Sequence, residues 1–213
     1  MKMASKDRNV VIRQMMAPDL ERIVEIHLES FPGFFLTFLG HDFLILLYQG
    51  IQSDPEGIVL VATNGGQIEG FVAGVLHQSG FYQGLLKKRK WAFVAAALGA
   101  LLRRPSIAPR LGRALMRPSE VRQSSAEACL MSIAVCPESE GRGIGQQLVE
   151  VFCDELARRG ASAVCLTTDR DKNDSVNRFY QRLGFRLSNP FVTPEGRAMN
   201  EYLMILPKKA QDA

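Results

Sequence analysis

The sequence predicts an α/β domain with a mixed sheet that pairs in parallel at its centre. Three observations carry that prediction. From Ala126 to Leu206, runs with strand and helix periodicity alternate. Upstream, Asn64-Gly65-Gly66 joins two β-rich runs as a hairpin turn. A strand ending at Val135 runs into a glycine-rich turn, Gly141-Arg142-Gly143-Ile144-Gly145, that opens a helix. The 213 residues suit one domain, 1–213, interrupted by an insertion at about 80–125. Apolar residues at 46% and charged residues at 23% exclude wholesale disorder.

Val10 to Arg13 reads as the first strand. Pro18 and Asp19 open a helix, because proline fits the first turn and an acid suits its positive end. Leu20, Ile23, Val24 and His27 share one face of it, and Phe31-Pro32-Gly33 ends it. Phe34 to Gln49 is a second, very apolar helix stopped at Gly50. Gly57 to Thr63 and Gln67 to His77 are the hairpin strands.

Gly80 to Ser125 contains a helix, Trp91 to Leu102, with Pro105 and Pro109 as breakers and a second basic stretch to Met116. Strands then follow at Ala126–Val135, Ala163–Thr168, Phe185–Ser188 and Met199–Leu206, with helices at Gly143–Arg159 and Asn173–Leu183. The tail after Pro207 is polar.

The net charge of +4 is uneven: Lys87 to Arg122 carries ten basic residues and one acid, leaving −5 elsewhere. With only Trp91 and Phe93 near that stripe, nucleic acid is not an expected partner. Packing on the domain or on a second subunit as a homodimer, contact with an anionic membrane surface, and steering of an anionic substrate are the three readings of the insertion. Cys129, Cys136, Cys153 and Cys165 lie in apolar periodic runs without a C-x-x-C pair, which predicts buried thiols and no metal site. The N-terminus has no apolar leader stretch, so a cytoplasmic protein, in peripheral contact with the inner membrane at most, is expected.

A glycine-rich turn opening a helix offers unpaired N–H groups at a positive dipole end, a site for phosphate or pyrophosphate. By itself the turn is equally a tight corner with no ligand. There is no G-x-x-x-x-G-K-[ST], and the spacing is not G-x-G-x-x-G. Downstream stands Asn173-Asp174-Ser175-Val176-Asn177-Arg178-Phe179-Tyr180-Gln181-Arg182-Leu183-Gly184-Phe185.

The two segments together closely resemble the GNAT N-acetyltransferase superfamily, with its strand ending in V-x-P, then [QR]-x-x-G-x-[GA], then N-x-x-A-x-x-x-Y-x-x-x-G-F. The resemblance covers Ala126 to Phe185 and implies the GNAT-type acyl-CoA N-acyltransferase fold, acetyl-CoA as cosubstrate and a primary amine as acceptor. It implies that Ile133, Ala134 and Val135 lie along the pantetheine arm and that the Val135 N–H polarises the thioester carbonyl. It gives the pyrophosphate to Gly141, Arg142, Gly143, Ile144, Gly145 and Gln146, the cofactor arm to Asn173, and the acid that protonates the thiolate to Tyr180.

Tyr180 is alternatively a core aromatic, and Asn173 a helix cap. Glu140 departs from the usual Gln or Arg, so it is expected to face solvent. Two general bases are candidates: Glu127, of the same parity as Val135 along the strand, and His77. The family frames its acceptor with the first interhelical loop and the last hairpin, which implies Phe31, Phe34 and Phe35, with Phe191 between the final strands; Phe34 and Phe35 are equally candidates for the core. F-P-G-F-F-L-T-F-L-G with the basic insertion is similar, more loosely, to members from bacterial polysaccharide and amino-sugar biosynthesis. The expected acceptor is thus an amino sugar, free or nucleotide-linked. A protein or peptide amine, or a non-catalytic CoA-binding module, are the alternatives.

Overall fold

The computed structural model describes residues 10–103, 126–194 and 196–207. Seven strands among them form one sheet in the order β1-β2-β3-β4-β5-β7-β6. These are β1 (Val11–Gln14), β2 (Gly57–Asn64), β3 (Gln67–Val75), β4 (Ala128–Val135), β5 (Ala163–Asp169), β6 (Arg186–Val192) and β7 (Ala198–Ile205). Neighbours pair antiparallel except β4 and β5, which are parallel. The helices are α1 (Leu20–Ser30), α2 (Phe35–Leu39), α3 (His41–Ser53), α4 (Phe81–Arg103), α5 (Ile144–Arg158) and α6 (Asp174–Arg182).

The central strands are apolar on both sides because helices cover both faces. On one face Ile23 and Val24 of α1 and Leu44 and Tyr48 of α3 pack on Phe71, Ala73, Ala134 and Cys165. On the other, Leu148, Phe152 and Leu156 of α5 pack on Val72, Leu130 and Leu166, with Tyr180 and Tyr202 beside them. All four cysteines are buried and unbridged, as expected. Burial pushes the Cys153 thiol up to about 12 and also raises Cys136, against the opposing Arg22 guanidinium.

The structure corrects the expected helices in three places. The helix expected over Phe34–Gln49 is two helices, because Gly40 between them sits at φ +85°. Gly50 does not stop α3, which runs on to Ser53. A Cβ at Gly50 would collide with Leu85 Cδ1, so this glycine is where α4 crosses α3 at close approach. The helix expected from Trp91 belongs to a longer α4 that is kinked at Arg89, whose guanidinium bonds Gln49 Oε1 at 2.5 Å. Pro105, Pro109, the basic stretch to Met116, the N-terminal nine residues and the tail after Pro207 lie outside the described residues.

β4 carries a bulge. Its register to β3 jumps from Ala73↔Ser132 to Gly74↔Leu130, leaving Met131 unmatched. Alternation therefore reverses: Cys129 faces the α1 side, whereas Val135 faces the α5 side.

Candidate active site

β4 and β5 pair only at Ala128↔Val164 and Cys129↔Cys165. Beyond that point β5 pairs with β7 as far as Asp169↔Met199, and β4 runs on to Val135 paired, among the described strands, with β3 alone. The sheet is split there, and the β5-facing edge of β4 is open. Which residues face the opening follows from the ladder on the other edge. The Cys136 N–H donates to the Glu69 carbonyl at 2.8 Å, so Cys136 and Ala134 turn their backbone groups to β3. Ile133 and Val135, one residue out of phase, turn theirs to the open edge.

The strand ends in a 3₁₀ turn, Pro137–Ser139, followed by Glu140 and the glycines. Gly141 and Gly143 sit at φ +74° and +76°, backbone that side-chain-bearing residues rarely adopt, and a Cβ on either would meet nothing within 4 Å. Gly143 caps α5 with no side-chain hydrogen bond, so the first-turn N–H groups of Ile144, Gly145 and Gln146 remain available at the positive end of a 15-residue helix. Ile144 is buried beneath the turn.

Arg142 is committed locally. Its Nη1 donates to both Glu69 carboxylate oxygens at 3.0 and 3.1 Å, and Glu69 also accepts from Asn64 Nδ2 at 2.8 Å. The pair ties the turn to the β2–β3 hairpin. Glu140 is exposed, as expected.

Tyr180 on α6 is 6% exposed and packs edge-on to Phe179 and Phe185. Among the described residues its hydroxyl has no hydrogen-bond partner, and burial pushes the phenol well above its ordinary range, so it stays protonated and able to donate. Asn173 occupies the cap position of α6 without capping it; its Nδ2 donates instead to Thr168 Oγ1 at 2.8 Å and the Asp169 carbonyl at 3.1 Å. Asn177, which the sequence reading passed over, holds α6 to the sheet. Its Nδ2 donates to the Asp169 and Asn173 carbonyls, and its Oδ1 accepts from Asn200 Nδ2 and Tyr202 Oη, all at 2.7–2.9 Å.

On the α1 side, Phe31 and Phe34 stack edge-on at 5.5 Å, and the Arg197 guanidinium of the β6–β7 hairpin lies 4.9 Å over the Phe34 ring. Arg197 is clamped to Asp169 at the end of β5, with bonds of 2.7 to 3.1 Å. The first interhelical loop and the last hairpin thus meet at the mouth of the split. Phe35 instead packs toward Leu39 and Ala100 of α4, and Phe191 lies within β6, opposite Met199.

His27 is 3% exposed; its Nδ1 lies 2.7 Å from Tyr48 Oη, its Nε2 is buried without a partner, and burial pushes its pKa down to about 4. Glu201 of β7, also 3% exposed, stands opposite Thr167 just past the last β4–β5 pair. It shares the α1-side parity of Leu203 and is close enough to Cys129 to act on that thiol's charge, after the larger effects of Cys165 and burial.

The two expected bases are elsewhere. Glu127 and His77 meet each other, with Oε2 3.5 Å from Nε2, at the far rim of the sheet. Eight residues of strand put Glu127 about 26 Å from Val135. The bulge at Met131 also puts them on opposite faces, contrary to the parity expectation. His77 Nδ1 is held by Glu56 at 3.0 Å.

A model of the acetyltransferase (GNAT) family matches residues 20–185, well over half of the chain. The [ribosomal protein bS18]-alanine N-acetyltransferase of Escherichia coli K12 is 35% identical over 85 residues, covering 38% of this chain and 56% of that protein. The chain thus spans about half the length of the curated relatives it matches. The crystal structure of the E. coli ribosomal-protein-S18-alanine N-acetyltransferase superposes with a TM-score of 0.58 at 15% identity, over 96% of this chain and 99% of that one. An aminoglycoside 6'-N-acetyltransferase complexed with coenzyme A gives 0.59 at 13% identity, over 94% and 99%. These likenesses place the split mixed sheet in a known fold, and with the family match they lead to one conclusion: the chain belongs to the GNAT acetyltransferase family.

Proposed function

We propose that this chain is an N-acetyltransferase that takes the acetyl group from acetyl-CoA and passes it to a primary amine by direct attack. The observation that carries the reading is the continuity of the open β4 edge with the uncapped glycine turn. Acetyl-CoA fits those residues. The Ile133 and Val135 backbone groups pair with the pantetheine amides as an added strand would, and one of their N–H groups takes the thioester carbonyl, where negative charge grows during attack. The N–H groups from Gly141 to Gln146 hold the pyrophosphate. With Arg142 bound to Glu69, its charge acts by shaping the turn.

The acceptor nitrogen reaches the thioester from the α1 side, between the Phe31–Phe34 loop and Arg197. Glu201, the buried carboxylate at the root of the split, takes the ammonium proton directly or through water. The C–N bond forms, the C–S bond breaks, and Tyr180 gives its proton to the departing sulfur. The described rim is aromatic and its nearest cation is already paired with Asp169, which suits a peptide amine or a free amino sugar without phosphate better than a nucleotide-linked one.

Free-thiol release from acetyl-CoA, measured across peptide N-termini, amino sugars, nucleotide-linked amino sugars and polyamines, tests this reading. Turnover with a peptide or free amino sugar is expected. Acetyl-CoA binding with no release on any amine would point instead to a non-catalytic CoA-binding module. In a working enzyme, Glu201→Gln should lower turnover about 10²-fold with acetyl-CoA affinity unchanged; equal turnover removes Glu201 from the base role.

A further inference from the structure

We infer that the outer face of α4 is a docking surface for an anionic lipid bilayer. After its kink, this helix is apolar on two opposite sides. Phe93, Ala96, Ala97 and Ala100 are buried against α2 and α3, with the Phe93 ring 5.1 Å from Phe43. Trp91, Ala95, Leu98 and Leu102, at i, i+4, i+7 and i+11, form the other stripe, and it faces out: Trp91 is 80% exposed, Leu98 53% and Leu102 87%. The remaining exposed large apolar side chains, such as Val11, Val151 and Val192, are scattered over other elements, where single exposures need no explanation. Three on one helical stripe, including the chain's single tryptophan, do.

The charge pattern selects the occupant. Lys87 and Lys90 are exposed at the start of the stripe, with Lys90 Nζ 5.9 Å from the Trp91 ring. In sequence, Lys87-Lys88-Arg89-Lys90 precedes the stripe and Arg103-Arg104 follows it, with no acid between. A second copy of this chain laid in parallel on the stripe would set Lys87 and Lys90 against the same two lysines. A sheet of anionic headgroups meets Lys87 and Lys90 while the apolar stripe enters the acyl boundary, the arrangement of an interfacial amphipathic helix. Among the described residues no helix is long and apolar enough to cross a membrane, so α4 lies on the surface.

Trp91 reports the contact without a label. Full-length protein is titrated with phosphatidylglycerol vesicles and, in parallel, with phosphatidylcholine vesicles, while emission is followed. The expected result is a blue shift with phosphatidylglycerol only, reversed by 0.5 M salt, which shortens the screening length. Lys87→Gln with Lys90→Gln should weaken vesicle affinity roughly 25-fold, at about fivefold per charge. Leu98→Gln with Leu102→Gln should abolish the shift while melting temperature and acetyl-CoA affinity stay unchanged, since both side chains are exposed. Four results would overturn the inference: no shift, an equal shift with phosphatidylcholine, emission already blue in the free protein, or light scattering showing a dimer that Leu98→Gln dissociates.

Discussion

The two sides of β4 are built by different physics. On the α5 side the site is backbone: two out-of-phase residues on an open strand edge, two left-handed glycines and the N–H groups of one helix turn. On the α1 side it is side chains from distant segments: Phe34 under Arg197, Arg197 on Asp169, His27 against Tyr48, and Glu201 at the root of the split. A backbone site tolerates most side-chain change but not a change of φ. A side-chain site depends on each pair and on the protonation state of its buried groups.

The largest test strikes the backbone side. Gly143→Glu forces a side chain into φ +76° and puts a carboxylate where the pyrophosphate is expected. Calorimetry should show acetyl-CoA affinity falling more than 100-fold with the acceptor side intact; retained binding would place the pyrophosphate elsewhere. Next comes Tyr180→Phe, which removes a proton donor without changing packing volume much. Turnover should fall about 10²- to 10³-fold, the usual share of one general acid, with acetyl-CoA affinity within a factor of two. Equal turnover would end the acid role.

The side-chain half should show itself in pH. Burial lowers the His27 pKa from 6.5 to about 4, so the folded state keeps the ring neutral where the unfolded chain already binds a proton. Its cost to stability is absent above about pH 6.5 and grows to roughly 3 kcal/mol as pH falls toward 4. Urea unfolding at pH 7 and pH 5 should differ by about 2 kcal/mol in the wild type and clearly less in His27→Gln; identical differences would remove His27 as the source. The smallest effect is expected from Arg197→Ala. It loses one cation–π contact and one part-exposed ion pair, together about 1 kcal/mol. Acceptor KM should rise several-fold while acetyl-CoA KM stays constant, and a change in the latter instead would join the two sides into one.

Much of the backbone side was legible in the sequence. Val135, the glycine turn and the α5 pattern are contiguous, and a left-handed glycine before an amphipathic helix needs no distant partner to specify it. The strand order was less so, and the bulge at Met131 was hidden. A bulge is a mismatch between two strands, and one strand's alternation does not display it; the reading of Glu127 as sharing a face with Val135 failed for that reason. Gly50 misled in a related way. A glycine near a helix end signals a stop, but here it makes room for Leu85 of a helix 35 positions downstream.

The sequence by itself determined the alternation of elements, the glycine-rich turn, the placement of Tyr180 on a short amphipathic helix and the basic, apolar character of α4, because each is written in neighbouring residues through backbone preference and periodicity. Only the tertiary structure decided where β4 and β5 part, that Arg142 belongs to Glu69, that Asn177 locks α6 to β5 and β7, that Glu201 rather than Glu127 stands at the split, and that one apolar face of α4 is left outside. Those outcomes depend on which side chains meet across long sequence separations, and burial and pairing energies fix them only once the whole sheet has closed around its two cores.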